Sequence, residues 1–213
     1  HRDLHSFPTR RSSDLDGHQI VAYDGAGMLS APRVWWLFRL MGHRDVAVLD
    51  GGLPKWQAEG RAVEDMPPVI KDRHLTVRFQ NQLLRDVTQV SQASKLGTSQ
   101  IVDARAAARF RGDSPEPREG LRAGHVPGSR NVPYTELLNS DKTMKTPDEM
   151  RAVFEAAGVE IDKPIITTCG SGITAAILSL ALERIGNDSW SLYDGSWSEW
   201  GMFPTVPVAT GDA

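Results

Sequence analysis

Ile165-Ile166-Thr167-Thr168-Cys169-Gly170-Ser171-Gly172-Ile173-Thr174-Ala175-Ala176 decides the fold and points to the chemistry. Four apolar or β-branched residues read as a buried strand, two glycines turn the chain, and an apolar helical pattern follows. Strand, tight loop and helix in succession form the unit of an α/β domain with a mostly parallel sheet flanked by helices. A loop that closes on a helix N-terminus points backbone N–H groups and the positive end of the helix dipole at one spot, which favours a thiolate over a thiol. Gly170 and Gly172 let the backbone curl around the sulfur, and the hydroxyls of Ser171 and Thr174 can donate to it. Cys169 is the only cysteine of the chain. In this setting it reads as a nucleophile that can carry a covalent intermediate.

The same pattern occurs earlier. Ile20-Val21-Ala22-Tyr23-Asp24-Gly25-Ala26-Gly27-Met28-Leu29-Ser30-Ala31 aligns without gaps to residues 165–176 at an offset of 145, with Asp24 in the place of Cys169. Further on, Leu49-Asp50-Gly51-Gly52-Leu53-Pro54-Lys55-Trp56 echoes Tyr193-Asp194-Gly195-Ser196-Trp197-Ser198-Glu199-Trp200 at an offset of 144. A period this long indicates two copies of a domain rather than a solenoid. Asp24 is expected to cap its loop by accepting from nearby backbone N–H groups.

These residues resemble the tandem-domain rhodanese-type sulfurtransferases, in which an inactive first domain precedes an active one whose cysteine opens the loop. The loop Cys169-Gly170-Ser171-Gly172-Ile173-Thr174 is most similar to that of the 3-mercaptopyruvate sulfurtransferases, and it lacks the basic side chains that thiosulfate-using rhodaneses carry after the cysteine. Ile101-Val102-Asp103-Ala104-Arg105, Arg109-Phe110-Arg111-Gly112 with Pro115-Glu116-Pro117-Arg118, and Gly124-His125-Val126-Pro127-Gly128-Ser129-Arg130-Asn131-Val132-Pro133 add to the likeness. The resemblance implies sulfur transfer from 3-mercaptopyruvate, or alternatively thiosulfate, through a Cys169 persulfide, with release of pyruvate in the first case. It implies a substrate site of Arg109, Arg118 and residues 170–174, no cofactor, and a small thiol, a thioredoxin-like protein or cyanide as acceptor. A guanidinium suits a carboxylate because it pairs with it in a planar fork. Arg105 is expected to hold the loop or domain contacts, His125 to be structural, and Trp35, Trp36, Phe38 and Leu40 to pack the core or the domain boundary.

The resemblance and the repeat together set the organisation: residues 1–15 a non-native or disordered tail, 16–60 the back half of a first rhodanese-like domain, 61–75 a linker with Pro67-Pro68, and 76–213 the catalytic domain. Counterparts of the 101–105 and 124–133 segments would fall before residue 1, so the chain is expected to be truncated at its N-terminus. Within the second domain, Asp86 is expected to cap a helix ending before Gly97, residues 100–104 to form a strand, and residues 106–124 a long polar loop. Thr146-Pro147-Asp148-Glu149 is a capping box, and residues 173–185 are expected to be helical.

Composition excludes several classes. With 24 Lys and Arg against 27 Asp and Glu, the net charge of −3 gives no basic footprint for nucleic acid or anionic lipid. No stretch approaches the ~18 apolar residues of a membrane span. A single cysteine fits a reducing, cytoplasmic setting, and the histidines show no metal-ligand spacing. A cysteine phosphatase would need an arginine closing the loop, where this chain has Ala175. The remaining rival is a noncatalytic binding module.

Overall fold

The computed structural model describes residues 17–67 and 74–212. The expected tail, and residues 68–73 of the expected linker, lie outside them. The chain first forms β1 (Ile20–Ala22), α1 (Ala31–Leu40), β2 (Val46–Val48) and α2 (Gly52–Ala58), with β1 and β2 paired in parallel. It continues through β3 (Leu84–Arg85), α3 (Val87–Leu96), β4 (Gln100–Asp103), α4 (Ala107–Arg111), β5 (Arg130–Asn131), α5 (Pro147–Ala156), β6 (Ile165–Thr168), α6 (Ala175–Arg184), β7 (Trp190–Tyr193) and α7 (Ser196–Trp200). These strands make a parallel five-stranded sheet of order β3-β7-β6-β4-β5.

The local signals act as their chemistry requires. Asp86 and Thr146 each form a complete capping box, with Gln89 and Glu149 returning the bond to the cap backbone, and α3 and α5 start there. Gly97 ends α3 in the left-handed region, where an L side chain is disfavoured. β6 is buried along its whole length because helices cover both faces of the sheet, so it reads as a continuous apolar run rather than an alternating one. Alternation reappears between the faces. Ile101, Ile166 and Tyr193 pack with Val90, Trp197 and Trp200, while Val102, Ile165 and Leu192 pack with α5, α6 and α1.

Two expectations need correction. Residues 106–124 are not all loop: Ala107–Arg111 is a short helix, because Phe110 is drawn into the core and Gly112 ends the turn with φ of 84°. The helix after Cys169 begins at Ala175 rather than Ile173, since residues 171–174 are spent in the turns of the loop.

The larger core cluster spans both sheets. Met28, Trp35, Trp36, Leu40 and Val46 join Leu178, Ala181, Leu182 and Trp190 in it. The rings of Trp35 and Trp190 lie 5.5 Å apart, and Trp36 Nε1 donates to the carbonyl of Leu83. Arg39 pairs with Glu183, which also accepts from Trp190 Nε1. α6 is therefore buried on the sheet side and on the α1 side, which explains its almost wholly apolar sequence. Trp35→Ala should remove about 3 to 5 kcal/mol of stability, as for other aromatic truncations in packed cores. Urea unfolding followed by tryptophan fluorescence measures this, and a loss below about 1 kcal/mol would mean the two sheets do not share a core.

Candidate active site

The carboxyl ends of β4, β6 and β7 lie side by side in the parallel sheet, the usual place for a ligand in an open α/β fold. Cys169 directly follows β6 and is 2% exposed, at the bottom of a cleft of about 270 Å³. The carbonyls of its loop are tied outward. Cys169 O accepts from Trp197 N at 2.9 Å, Gly170 O accepts from both the N–H and the hydroxyl of Ser198, and Gly172 O accepts from Arg33 Nη1 at 3.2 Å. A planar trans peptide holds its N–H opposite its carbonyl, so each tie turns the following N–H the other way. Among the described residues, no protein group accepts the backbone N–H of any residue from Gly170 to Ala175.

The first copy of the loop shows what such N–H groups are for. The carboxylate of Asp24 accepts from the N–H groups of Ala26, Leu29, Ser30 and Ala31 at 2.8–2.9 Å. Burial pushes this carboxyl up, but the four backbone bonds outweigh it and hold the group below the usual carboxylate range. At the offset of 145, three of these donors correspond to Ser171, Thr174 and Ala175, whose N–H groups are unclaimed around Cys169. The cradle holds an internal carboxylate in the first loop, and among the described residues no protein group fills it in the second.

Cys169, Arg109, Arg118, Gly170, Ser171, Ile173 and Thr174 all line the cleft. Gly172 does not. It is buried on the far side of the loop, where an added Cβ would meet Arg33 Nη1 at 2.5 Å, and its φ of 76° also calls for glycine. At Gly170 an added Cβ would crowd Arg109 Nη2 at 3.0 Å, so the glycine leaves room for that guanidinium. Both arginines owe their places to Glu116 and Ser198. Glu116 Oε2 accepts from Arg109 Nη2 at 2.6 Å and its Oε1 from Arg105 Nη1 at 2.8 Å. Arg105 is fully buried, forks onto Asp103, donates to the carbonyl of Gly124 and stacks on Trp197. Arg118 Nη1 donates to the Ser198 hydroxyl. Arg111 turns outward to Asp113 and leaves the cleft. His125 is stacked on Phe110 and bonded through Nδ1 to its carbonyl, a fixed element beneath the arginine loop.

Five cleft residues were not singled out from the sequence: Leu29, Glu116, Pro117, Leu121 and Ser198. Glu116 sits inside the quoted Pro-Glu-Pro-Arg run, so its signal was present. Ser198 and Leu29 carry none, since one comes from α7 and the other from the first copy, and only packing brings them to Cys169.

The rhodanese-like domain model matches residues 3–59 and 86–202, and the chain belongs to the rhodanese-like family. It is 46% identical over 193 residues to the 3-mercaptopyruvate sulfurtransferase of Escherichia coli K12, an alignment covering 91% of this chain and 68% of that one. It is 38% identical over 211 residues to thiosulfate/3-mercaptopyruvate sulfurtransferase 1, mitochondrial, of Arabidopsis thaliana, covering 89% of this chain and 56% of that protein. The chain thus spans between about half and two thirds of the length of these relatives. The crystal structure of SseA from Escherichia coli, described by its "Rhodanese" fold, superposes with a TM-score of 0.76 at 42% identity, over 88% of this chain and 68% of that one.

The Asp24 cradle makes a testable statement about pH. A carboxyl held low in the folded state stabilises it fully above the unfolded value of about 4, and the contribution is lost as pH falls through the folded value. Asp24→Asn should cost about 1 to 2 kcal/mol at pH 7, reduced from the full worth of charged bonds because the group is half-exposed. In urea titrations the gap between wild type and variant should narrow below pH 4; a gap that ignores pH would show that the charge plays no part.

Proposed function

We propose that the chain is the sulfur-transferring part of a 3-mercaptopyruvate sulfurtransferase. The observation that carries this reading is the charge count of the cleft. Arg105 and Arg109 face Asp103 and Glu116, so those four charges cancel, while Arg118 has no carboxylate partner among the described residues. One uncompensated guanidinium beside a thiol suits a donor with a single carboxylate. The likeness to relatives named for 3-mercaptopyruvate supports the same donor.

In this reading the carboxylate of 3-mercaptopyruvate sits on Arg118, with Arg109 alongside, and its sulfur faces Cys169. The Cys169 thiolate attacks that sulfur, the carbon–sulfur bond breaks, and its electron pair moves into the neighbouring carbonyl as an enolate. A proton completes pyruvate, and Cys169 is left as a persulfide. The N–H groups of residues 170–175 stabilise the negative sulfur, the kind of preorganised donor set that does most in a water-poor site. An acceptor thiolate, or cyanide, then takes the outer sulfur and returns the Cys169 thiolate. The acceptor in this reading is a small thiol, a thioredoxin-like protein or cyanide. The first loop, with aspartate in place of cysteine, is a copy of the second that holds structure and no sulfur. A reducing compartment such as the cytoplasm fits a working thiol; no helix among the described residues is long and apolar enough to cross a membrane.

Thiosulfate is the second donor, favoured by the double name of the Arabidopsis relative and by a cradle that could take sulfonate oxygens. Intact mass after incubation with each donor separates the two. 3-Mercaptopyruvate should add one sulfur atom to the wild type and none to Cys169→Ser, and Arg118→Lys should lower kcat/KM about 10- to 100-fold through loss of the planar fork. Absence of the added sulfur, or equal loading by thiosulfate with kinetics indifferent to Arg118, would reject 3-mercaptopyruvate as the donor.

A further inference from the structure

The Cys169 loop is shaped from outside by three carbonyl ties, and two of them come from α7, within its own sheet unit. The third comes from elsewhere. Arg33 lies in the first turn of α1, on the other side of the boundary between the two sheets, and its Nη1 reaches the carbonyl of Gly172 and the carboxylate of Asp194 together. Its guanidinium is fixed in place by stacking on Trp36, 4.6 Å from the ring centre, and is largely buried. The glycine at 172 leaves room for this approach, since a Cβ there would sit 2.5 Å from Arg33 Nη1 and 2.8 Å from Asp194 Oδ1.

Gly172 O and the N–H of Ile173 belong to one planar peptide and point in opposite directions. With the carbonyl drawn outward to Arg33, the Ile173 N–H is turned away from it, and no protein group accepts that N–H. Ile173 itself lines the Cys169 cleft. We infer that Arg33 is a positioning residue for sulfur transfer: through Gly172 it turns the Ile173 N–H toward the persulfide, so that the first copy, which holds no thiol, sets the reactivity of the second. The inference rests on the persulfide reading above, and its test is arranged so that the two can fail separately.

Cys169 is loaded with sulfur in two ways, from 3-mercaptopyruvate and from inorganic polysulfide, which needs no donor site. Failure of the first with success of the second would overturn the donor and leave the Arg33 inference testable. In the polysulfide-loaded wild type the amide proton of Ile173 should move downfield in a nitrogen–proton correlation spectrum relative to the unloaded protein. In Arg33→Met, which keeps an unbranched chain over Trp36, that movement should be lost. The variant's kcat for sulfur transfer to a small thiol should also fall about tenfold, the effect of one charge-stabilising hydrogen bond, with KM for the thiol within about twofold. Asp194→Asn breaks the ion pair but leaves Arg33 on Gly172, so its kcat should stay within about threefold of wild type. An Ile173 amide that does not respond to loading in the wild type would overturn the inference without any variant. So would equal losses in Arg33→Met and Asp194→Asn, which would assign the effect to the ion pair.

Discussion

The site depends on the buried guanidinium of Arg105. It leaves the end of β4, forks onto Asp103 two residues earlier, and reaches Glu116 and the Gly124 carbonyl in the segment that follows. An isolated charge at this depth would be very costly, and a buried pair is tolerated only where its hydrogen bonds are complete. Here they are: no buried side-chain polar atom among the described residues lacks a partner. The consequence is geometric. An otherwise irregular stretch is pinned to the sheet at two points, and Glu116, held by Arg105 on one side, presents its other oxygen to Arg109. Arg109 is therefore carried by a buried ionic frame rather than by a free loop.

The two related loops show one backbone device in two states. In the first, Asp24 occupies its own cradle of N–H groups and the loop is complete in itself. In the second, the cysteine is too short and too weak an acceptor to satisfy so many donors, and among the described residues they are left without a protein acceptor. Positive φ recurs with the pattern: Gly27 at 107° corresponds to Gly172 at 76°, and Gly52 at 57° to Ser196 at 51°. Ser196 is the exception to the glycine rule, and its hydroxyl accepts from Cys169 N and donates to Tyr193 O. A non-glycine residue is thus held in a sparsely populated region directly beside Cys169.

Contacts across the boundary are reciprocal. Asp194 of the second copy takes Arg33 from the first, and Asp50 of the first accepts the N–H of Met144 from the second. Each apex glycine is backed by a basic side chain of the other copy, Gly172 by Arg33 and Gly27 by Lys142. With Leu29 also lining it, the Cys169 cleft is built partly from the first loop, which carries no cysteine.

Sequence alone determined what short-range chemistry can encode. Capping residues, the buried strand of residues 165–168, the glycine-marked loop and the correspondence of Asp24 with Cys169 are all written in neighbouring side chains, because helix ends, turns and strand burial depend on residues a few positions apart. The helix at Ala107–Arg111 was not legible, since five residues are too few to show a helical period even though alanine and arginine favour helix, and burial of Phe110 in the core fixes the turn. Tertiary structure decided which arginine is left without a carboxylate partner. Arg105, Arg109, Arg111 and Arg118 are alike as letters, and only the positions of Asp103, Glu116, Asp113 and Ser198 in space distinguish a buried brace, a paired wall, a surface ion pair and an uncompensated cation. It also brought Arg33 to Gly172 across 139 positions of chain, a contact that no local pattern records because it is made by packing α1 against α6.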